Sequence, residues 1–137
     1  MDKWYGAAGV CMNEKRQILM VKQGLSNEEK LWSVPSGGKK PGETYEACCI
    51  REIREETGYE VMIKRSMFVK KSHAVEVHYF EVAVIGGSAN IQDPDKLIYE
   101  IAWKSKQEIK NLALSFPEDR HTLVNFINKK LVEEGVK

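Results

Sequence analysis

Three glutamates, Glu52, Glu55 and Glu56, stand close together in a segment, Tyr45 to Thr57, that contains neither glycine nor proline. In an α-helix Glu55 would lie about 60° to one side of Glu52 and Glu56 about 40° to the other, all within about 6 Å along the axis. Carboxylates at this spacing repel one another and destabilise a bare helix. Hard divalent cations such as Mg²⁺ bind carboxylate oxygens together with substrate phosphates. The spacing therefore predicts a metal-binding face on this helix.

Arg51 and a glycine-rich loop accompany these carboxylates. Arg51 precedes Glu55 by four residues, so an ion pair along the helix can hold one carboxylate in a fixed orientation. The loop before the helix, SGGKKPG at 36–42, lets backbone groups approach a metal ion or a phosphate without a side chain between them. A solvated helix face would also be rich in Glu and Arg. The loop and the clustered carboxylates together favour a site for metal and phosphate chemistry.

The elements that position these residues follow from the residue pattern. Thr44 is the expected N-cap of the helix and Gly58 its left-handed C-cap. Apolar runs at 5–12 and 17–22, joined by a polar turn, predict two strands in a hairpin, the first of them buried. Further strands are predicted at 31–35, 60–68, 73–85 and 97–103.

Two more helices are expected after the last strand. Ser105 with Glu108, and Ser115 with Glu118, have the spacing of a capping box, so we expect a short helix after Ser105 and a last helix after Ser115. These elements predict an α/β (α+β) fold with a mixed sheet and two to three helices. We expect a single domain over 1–137.

Composition limits the function classes. The chain has 137 residues, 42% of them hydrophobic and 30% charged, and its 21 basic and 20 acidic residues leave a net charge of +1. This balance demands neither nucleic acid nor a membrane surface as a partner, and we expect no DNA binding. Three cysteines, two of them adjacent, form a poor disulfide framework. With no apolar run long enough for a membrane helix and no signal peptide pattern, a cytoplasmic location is expected.

The stretch from Gly37 to Tyr59 resembles the Nudix box of the MutT-like hydrolases. That box reads Gly, five residues, Glu, seven residues, Arg-Glu, an aliphatic residue, any residue, Glu-Glu, any residue, Gly and an aliphatic residue. All positions but the last match, through Gly37, Glu43, Arg51, Glu52, Ile53, Glu55, Glu56 and Gly58. Tyr59 stands where an aliphatic residue is usual. The resemblance extends over most of the chain and implies a Nudix-like α/β/α sandwich.

The resemblance also implies a reaction: hydrolysis of a pyrophosphate bond in a nucleoside diphosphate-linked or nucleoside triphosphate substrate, by attack of water on phosphorus with Mg²⁺ or, alternatively, Mn²⁺. It implies that Glu52 and Glu56 are the main metal ligands and that Glu55 is a further ligand or a contact through water. The backbone carbonyl of Ser36 is expected to join them, although the family usually has glycine there. Glu100 is a more distant candidate carboxylate for the metal.

The resemblance also assigns roles beside the metal. It implies that Arg51 orients the carboxylates, and that Glu43 braces the junction of loop and helix, with Gly37 and Gly58 as structural residues. Glu52 is the first choice of general base, with Glu100 as the distant alternative.

The sequence predicts the residues of the substrate pocket less clearly than those of the box. Trp32 could stack on a base or belong to the core, and Lys39 and Lys40 could attract phosphates or form a solvated loop tip. The segments 24–30 and 85–96 are expected to be pocket walls. Two other functions stay open: pyrophosphate removal from the 5′ end of RNA, which needs a basic groove and exposed aromatics, and a nucleotide-sensing module that does not cut. Small family members are often dimers, which leaves a homodimer open.

Overall fold

The computed structural model describes residues 3–92 and 97–135, so the part of the expected pocket wall at 93–96 lies outside the described residues. Within these residues, seven strands and three helices follow one another as β1 (Trp4–Cys11), β2 (Ile18–Gln23), β3 (Leu31–Ser33), β4 (Ser36–Gly38), α1 (Tyr45–Thr57), β5 (Tyr59–Lys71), β6 (Val75–Gly87), β7 (Ile98–Lys104), α2 (Lys106–Asn111) and α3 (Asp119–Glu133).

The strands form two sheets. The first has the order β4-β1-β6-β5 and is mixed, because β1 runs parallel to β6 while β4 and β5 pair antiparallel with their neighbours. The second has the order β3-β2-β7 and is antiparallel. The predicted α/β (α+β) fold with a mixed sheet is confirmed.

The predicted hairpin of the first two strands is wrong. β1 and β2 lie in different sheets, and their ends meet at an isolated bridge between Met12 and Ile18. The Asn13 side-chain oxygen accepts hydrogen bonds from the backbone N–H groups of Lys15 and Gln17, each at 3.0 Å, and this closes the turn between the sheets. A tight polar turn therefore does not by itself indicate that the flanking strands share a ladder.

Helices cover both sides of the sheets. Side chains of β1 alternate between two apolar clusters, as strand geometry requires: Ala7 and Cys11 face α1, while Ala8 and Val10 face α2 and α3. The α1 cluster includes Cys48, Cys49, Ile53, Leu19 and Phe80, and the opposite cluster includes Ile109, Leu123, Phe126, Met20 and Tyr79. The result is a sandwich of helix, sheets and helices.

The caps predicted for the first two helices are present in the structure. The Thr44 side chain accepts a hydrogen bond from the Ala47 N–H at 3.0 Å, and Gly58 ends α1 in the left-handed region with φ 81°. The capping box of Ser105 and Glu108 is present at the start of α2. All three capping predictions are confirmed.

The predicted start of the last helix is wrong. α3 begins at Asp119 with Glu118 as N-cap, and no side-chain capping bond is present. The Ser115 N–H donates to the Trp32 carbonyl at 2.9 Å, and the Glu118 carboxylate accepts a hydrogen bond from the Lys70 ammonium at 2.8 Å. Contacts with distant strands thus occupy both groups of the expected capping box.

Two details differ from the expected strands. The segment 36–38, predicted as part of a loop, forms β4 by pairing with β1, with Gly37 opposite Ala7. The expected buried strand begins with exposed residues, since Trp4 is 46% and Tyr5 44% exposed. Among the described helices none has the length and apolarity needed to cross a membrane.

Candidate active site

Helix α1 lies across the first sheet and presents its carboxylates to β4. Cys48, Cys49 and Ile53 are fully buried against the sheet. Burial raises the pKa of the Cys48 thiol to about 11 and that of the Cys49 thiol to about 12, which keeps both as unreactive packing residues. Both cysteines therefore serve as small side chains packed against the sheet. The polar side of α1 is left to face the glycine loop.

Arg51 is the centre of the polar side. Its guanidinium donates two hydrogen bonds to the Glu43 carboxylate, at 2.7 and 2.9 Å, and one to Glu52 at 2.9 Å. The Glu55 carboxylate accepts from it at 3.2 and 3.5 Å. A further bond at 2.9 Å goes to the Gly38 carbonyl. The Arg51–Glu55 pair expected from the spacing is therefore present. The bonds from Arg51 lower the pKa of Glu43 to about 2, so this carboxylate stays charged.

Glu52 and Glu56 complete the cluster on the loop side. The Glu52 carboxylate lies directly over Gly37, where a Cβ atom would overlap it, so only glycine permits this approach. Glu56 is 6% exposed and accepts a hydrogen bond from the Ser36 N–H at 3.2 Å. Burial raises the pKa of Glu52, and the charge of Glu55 adds to this, while Arg51 and a hydrogen bond with Glu56 oppose it. Glu52 and Glu56 are therefore close neighbours that repel when both are ionised.

This donor set fits a hard divalent cation. All of its ligand atoms are oxygens, and a cation would relieve the repulsion between the Glu52 and Glu55 carboxylates. Within residues 3–92 and 97–135, no three His, Cys, Asp or Glu side chains already converge in a geometry that would hold a metal ion. The reason is visible in the contacts, because Arg51 holds Glu52 and Glu55 while Glu56 turns to Ser36. Metal binding therefore requires these side chains to turn.

Two residues predicted to belong to the site, Glu100 and Trp32, are not part of the carboxylate cluster. Glu100 is an exposed residue of β7 opposite Lys22 in the second sheet, and no hydrogen bond or ion pair in the described part of the chain joins it to the box. Trp32 is 7% exposed and belongs to the apolar cluster under α3, with the Lys104 ammonium 4.4 Å from its ring centroid. The burial of Trp32 argues against its prediction as a base-stacking residue.

The two loop lysines line a cleft that the sequence does not indicate. Lys39 and Lys40 share a cleft of about 340 Å³ with Tyr5, Pro41 and Tyr45. The tyrosines were not predicted as site residues, because Tyr5 belongs to a strand read as buried and Tyr45 to the first turn of the helix. The one sequence feature that could have pointed to this cleft is the presence of tyrosines close to the lysine-containing loop.

A sandwich with a carboxylate-bearing helix behind a glycine-rich loop defines the fold class of the Nudix hydrolases. The family model for the NUDIX domain matches residues 3–126, so the chain belongs to the Nudix family. The resemblance noted on the box residues is thereby confirmed.

Similar proteins extend this finding. A Bacillus subtilis protein with the provisional name 8-oxo-dGTP diphosphatase is 37% identical over 86 residues, which are 61% of this chain and 56% of that protein. The mRNA-decapping protein g5R of African swine fever virus (isolate Warthog/Namibia) is 31% identical over 124 residues, covering 81% of this chain and 50% of that protein. The chain thus spans about half the length of these relatives.

A solved structure of similar shape shows the fold. The NUDIX hydrolase from Nitrosomonas europaea superposes with a TM-score of 0.78 at 20% sequence identity, covering 90% of this chain and 87% of that chain. At this identity the likeness concerns the architecture alone.

Proposed function

We propose that the protein is a Nudix pyrophosphohydrolase that cuts a pyrophosphate bond in a nucleoside diphosphate-linked or nucleoside triphosphate substrate, with Mg²⁺ or Mn²⁺. The observation that carries the proposal is the cluster of Glu52, Glu55 and Glu56 around Arg51 and the glycine loop. The similar proteins are named for a nucleotide diphosphatase and for mRNA decapping, which supports a nucleotide-containing substrate.

In this proposal Glu52 and Glu56 are the main metal ligands. Glu55 and the Ser36 carbonyl are further ligands, and Glu55 can act through water. A bound divalent cation would offset phosphate charge and lower the pKa of the attacking water. Arg51 orients Glu52 and Glu55, and Glu43 keeps Arg51 in place through its two hydrogen bonds. Glu52, whose carboxylate lies directly over the loop glycine Gly37, is the first choice of general base.

Glu100, on strand β7, stays a predicted alternative base and metal ligand. A sensor module that binds without cutting is the competing function, and the complete set of box glutamates favours catalysis over it. A homodimer and a cytoplasmic location stay predictions; light scattering on the purified protein tests the first.

A phosphate-release screen tests the proposal. Purified protein is incubated with Mg²⁺ or Mn²⁺ and a panel of nucleoside triphosphates, nucleotide sugars and dinucleoside polyphosphates. We expect turnover of at least one class, loss of turnover with EDTA, and a fall in kcat of about two orders of magnitude or more in Glu56→Gln. Glu46→Gln, an exposed change on the same helix, is the matched control.

The screen also separates the competing functions. Near-normal turnover by Glu56→Gln would show that the metal assignment is wrong. Absence of turnover on the whole panel, together with nucleotide binding in a thermal-shift assay, would favour the sensor module.

A further inference from the structure

A cavity of about 720 Å³ lies at the end of β1, away from the carboxylate cluster. Its walls are residues of the turn at 11–17, the end of β6 and two aromatic residues, Tyr59 and Trp103. The cavity begins at Cys11, whereas the box residue Gly37 pairs with Ala7. Four residues of strand span about 13 Å, so a group in this cavity leaves the carboxylates uncovered.

The cavity exists because β1 leaves its neighbour β6 early. The two strands pair as far as Cys11 opposite Val82, after which the chain turns toward β2. β6 continues to Gly87, and in the part of the chain that the structure describes no strand pairs with it on that side beyond Val82. The part of β6 that β1 leaves open forms a wall of the cavity at Ala83 and Val84.

The polar side-chain atoms of this cavity are largely paired already. Trp103 and Tyr59 meet edge to face with 5.7 Å between ring centroids, and the indole N–H of Trp103 donates to the Tyr59 hydroxyl at 3.3 Å. At the rim, the Asn13 amide donates to the Gln17 side chain at 2.9 Å. An apolar group that entered the cavity would therefore not leave these donors buried without a partner.

An apolar side chain protrudes beside the cavity. Ile85, the residue after Val84, is 66% exposed, and Val84 itself is 38% exposed. The pairing of β5 with β6 shifts register at this point, so Ile85 is left without a partner on β5. Such a bulge redirects the side chain of the extra residue. Exposed apolar side chains next to an aromatic cavity are typical of an interaction surface.

Opposite charges stand next to each other on the rim of the cavity. Glu14 and Lys15 are exposed, and neither takes part in a salt bridge within residues 3–92 and 97–135, whereas Arg16 beside them pairs with Glu134 at 2.8 Å. In a dimer with a twofold axis, every contact between two different residues occurs twice. Glu14 of each copy can then face Lys15 of the other. The charges of this surface therefore complement a second copy of the same surface.

We propose that two copies of this chain associate through this end of the sandwich, with Ile85 of each copy inserted in the cavity of the other against Trp103. Glu14 and Lys15 flank the contact as two reciprocal ion pairs. This assigns a surface to the predicted homodimer. The carboxylates of the box lie outside the interface, so none of the tests below depends on the proposed hydrolase function.

Sedimentation velocity over a range of protein concentrations measures the association. We expect a reversible monomer–dimer equilibrium in which Ile85→Asp raises the Kd by about thirtyfold or more, the effect of losing a central residue of an interface. Leu25→Asp, which changes a 53% exposed leucine between β2 and β3, is the matched control and should keep the wild-type Kd. A wild type that stays monomeric at every concentration, or an equal effect of the two substitutions, would overturn the proposal.

Charge variants test the twofold arrangement. Glu14→Lys and Lys15→Glu each place like charges opposite one another in their own homodimer, and each is expected to raise the Kd by roughly three- to tenfold at low salt. When the two variants are mixed, opposite charges meet at both contacts, so a heterodimer of wild-type affinity is expected. Both changes lie on an exposed turn and decide the question if Ile85→Asp does not fold. A mixture that associates no better than either variant alone contradicts the proposal.

Fluorine NMR identifies the surface that is used. The chain has three tryptophans, Trp4, Trp32 and Trp103, so protein labelled with 5-fluorotryptophan gives three signals, of which Trp103→Phe assigns one. We expect the Trp103 signal to shift as the dimer forms with rising concentration. The signal of Trp4, 46% exposed at the start of β1, should stay fixed. A shift of Trp4 without any change at Trp103 would place the interface on another surface and refute the proposal.

Discussion

At the scale of single residues, Arg51 determines how the carboxylates are arranged. One guanidinium contacts Glu43, Glu52 and Glu55 at once, and the planar fork makes two parallel bonds to Glu43. Lysine carries the same charge but has no fork and reaches fewer acceptors. The geometry of the site, more than its charge, therefore depends on this side chain.

Arg51→Lys is accordingly expected to lower kcat/KM by about tenfold to a hundredfold, since misplaced catalytic groups cost rates of this order. Steady-state kinetics on the best substrate of the panel measures the effect. Arg54→Lys is the control, because Arg54 lies on the exposed side of the same helix. An equal loss in both variants would contradict a special role for Arg51.

Spacing along the helix predicts some of these contacts and not others. The Arg51–Glu55 pair and the shared face of the three glutamates follow from helical periodicity. The bidentate Arg51–Glu43 pair spans eight residues across a loop, and the stacking of Tyr45 on His78 joins α1 to β6. Neither contact has a periodic signature, because each depends on where the chain folds back.

At the scale of elements, the end of α1 depends on Gly58. Its φ of +81° is costly for other residues, and a Cβ atom there would also meet the backbone of Ser88 and Asn90. Gly42 has nearly the same φ, +79°, with no atom within 4 Å of the Cβ position. Replacing Gly42 would therefore introduce backbone strain alone, whereas replacing Gly58 would introduce both backbone strain and steric overlap.

Gly58→Ala is expected to lower the free energy of unfolding by about 3 kcal/mol or more, and Gly42→Ala by about 1 kcal/mol. Urea unfolding followed by circular dichroism measures both. If the two substitutions cost the same, the packing of the 88–90 segment on the helix end contributes nothing to stability.

A buried glutamate joins its own strand to two other elements. The Glu81 carboxylate on β6 contacts Arg65 of β5 at 2.6 Å and Lys130 of α3 at 2.8 Å. Burial would raise the pKa of Glu81, but the bonds from Lys130 and Arg65 lower it below its usual range. A carboxylate with a lowered pKa in the folded state stabilises the fold above its ordinary pKa, and this contribution is lost as the pH falls through the folded-state pKa.

Glu81→Gln is therefore expected to lower the free energy of unfolding by about 2 kcal/mol at pH 7 and by much less at a pH below the folded-state pKa of Glu81. Denaturation curves at the two pH values supply the comparison. Glu133→Gln, which removes a more exposed partner of Lys130, is the control and should have a small effect at both. A penalty for Glu81→Gln that does not change with pH would count against the ionic contribution.

At the scale of the whole molecule, sheet pairing was the least predictable property. Most strands were found from their apolar runs, yet β1 pairs in parallel with β6, some 70 residues along the chain, and not with β2. Local turn chemistry carries no information on such distant partners. The failed capping box at Ser115 has the same cause, because its groups bind distant segments of the chain.

A bound cation should stabilise the whole fold, since it binds carboxylates that repel one another in its absence. Mg²⁺ at 100 times its Kd is expected to raise the free energy of unfolding by about 2.7 kcal/mol, which appears as a higher Tm. Differential scanning fluorimetry with and without Mg²⁺ measures the shift. Glu46→Gln should keep it and Glu56→Gln should lose most of it. A full shift in Glu56→Gln would place the cation elsewhere.

The burial of all three cysteines has a practical consequence for spectroscopy. Cys11, Cys48 and Cys49 are inaccessible, and burial raises the pKa of each thiol to about 11 or 12, so maleimide reagents find almost no thiolate in the native protein. A cysteine introduced at an exposed position would therefore be the one labelled. The natural sequence already provides the background for attaching a single fluorophore, with no native cysteine removed.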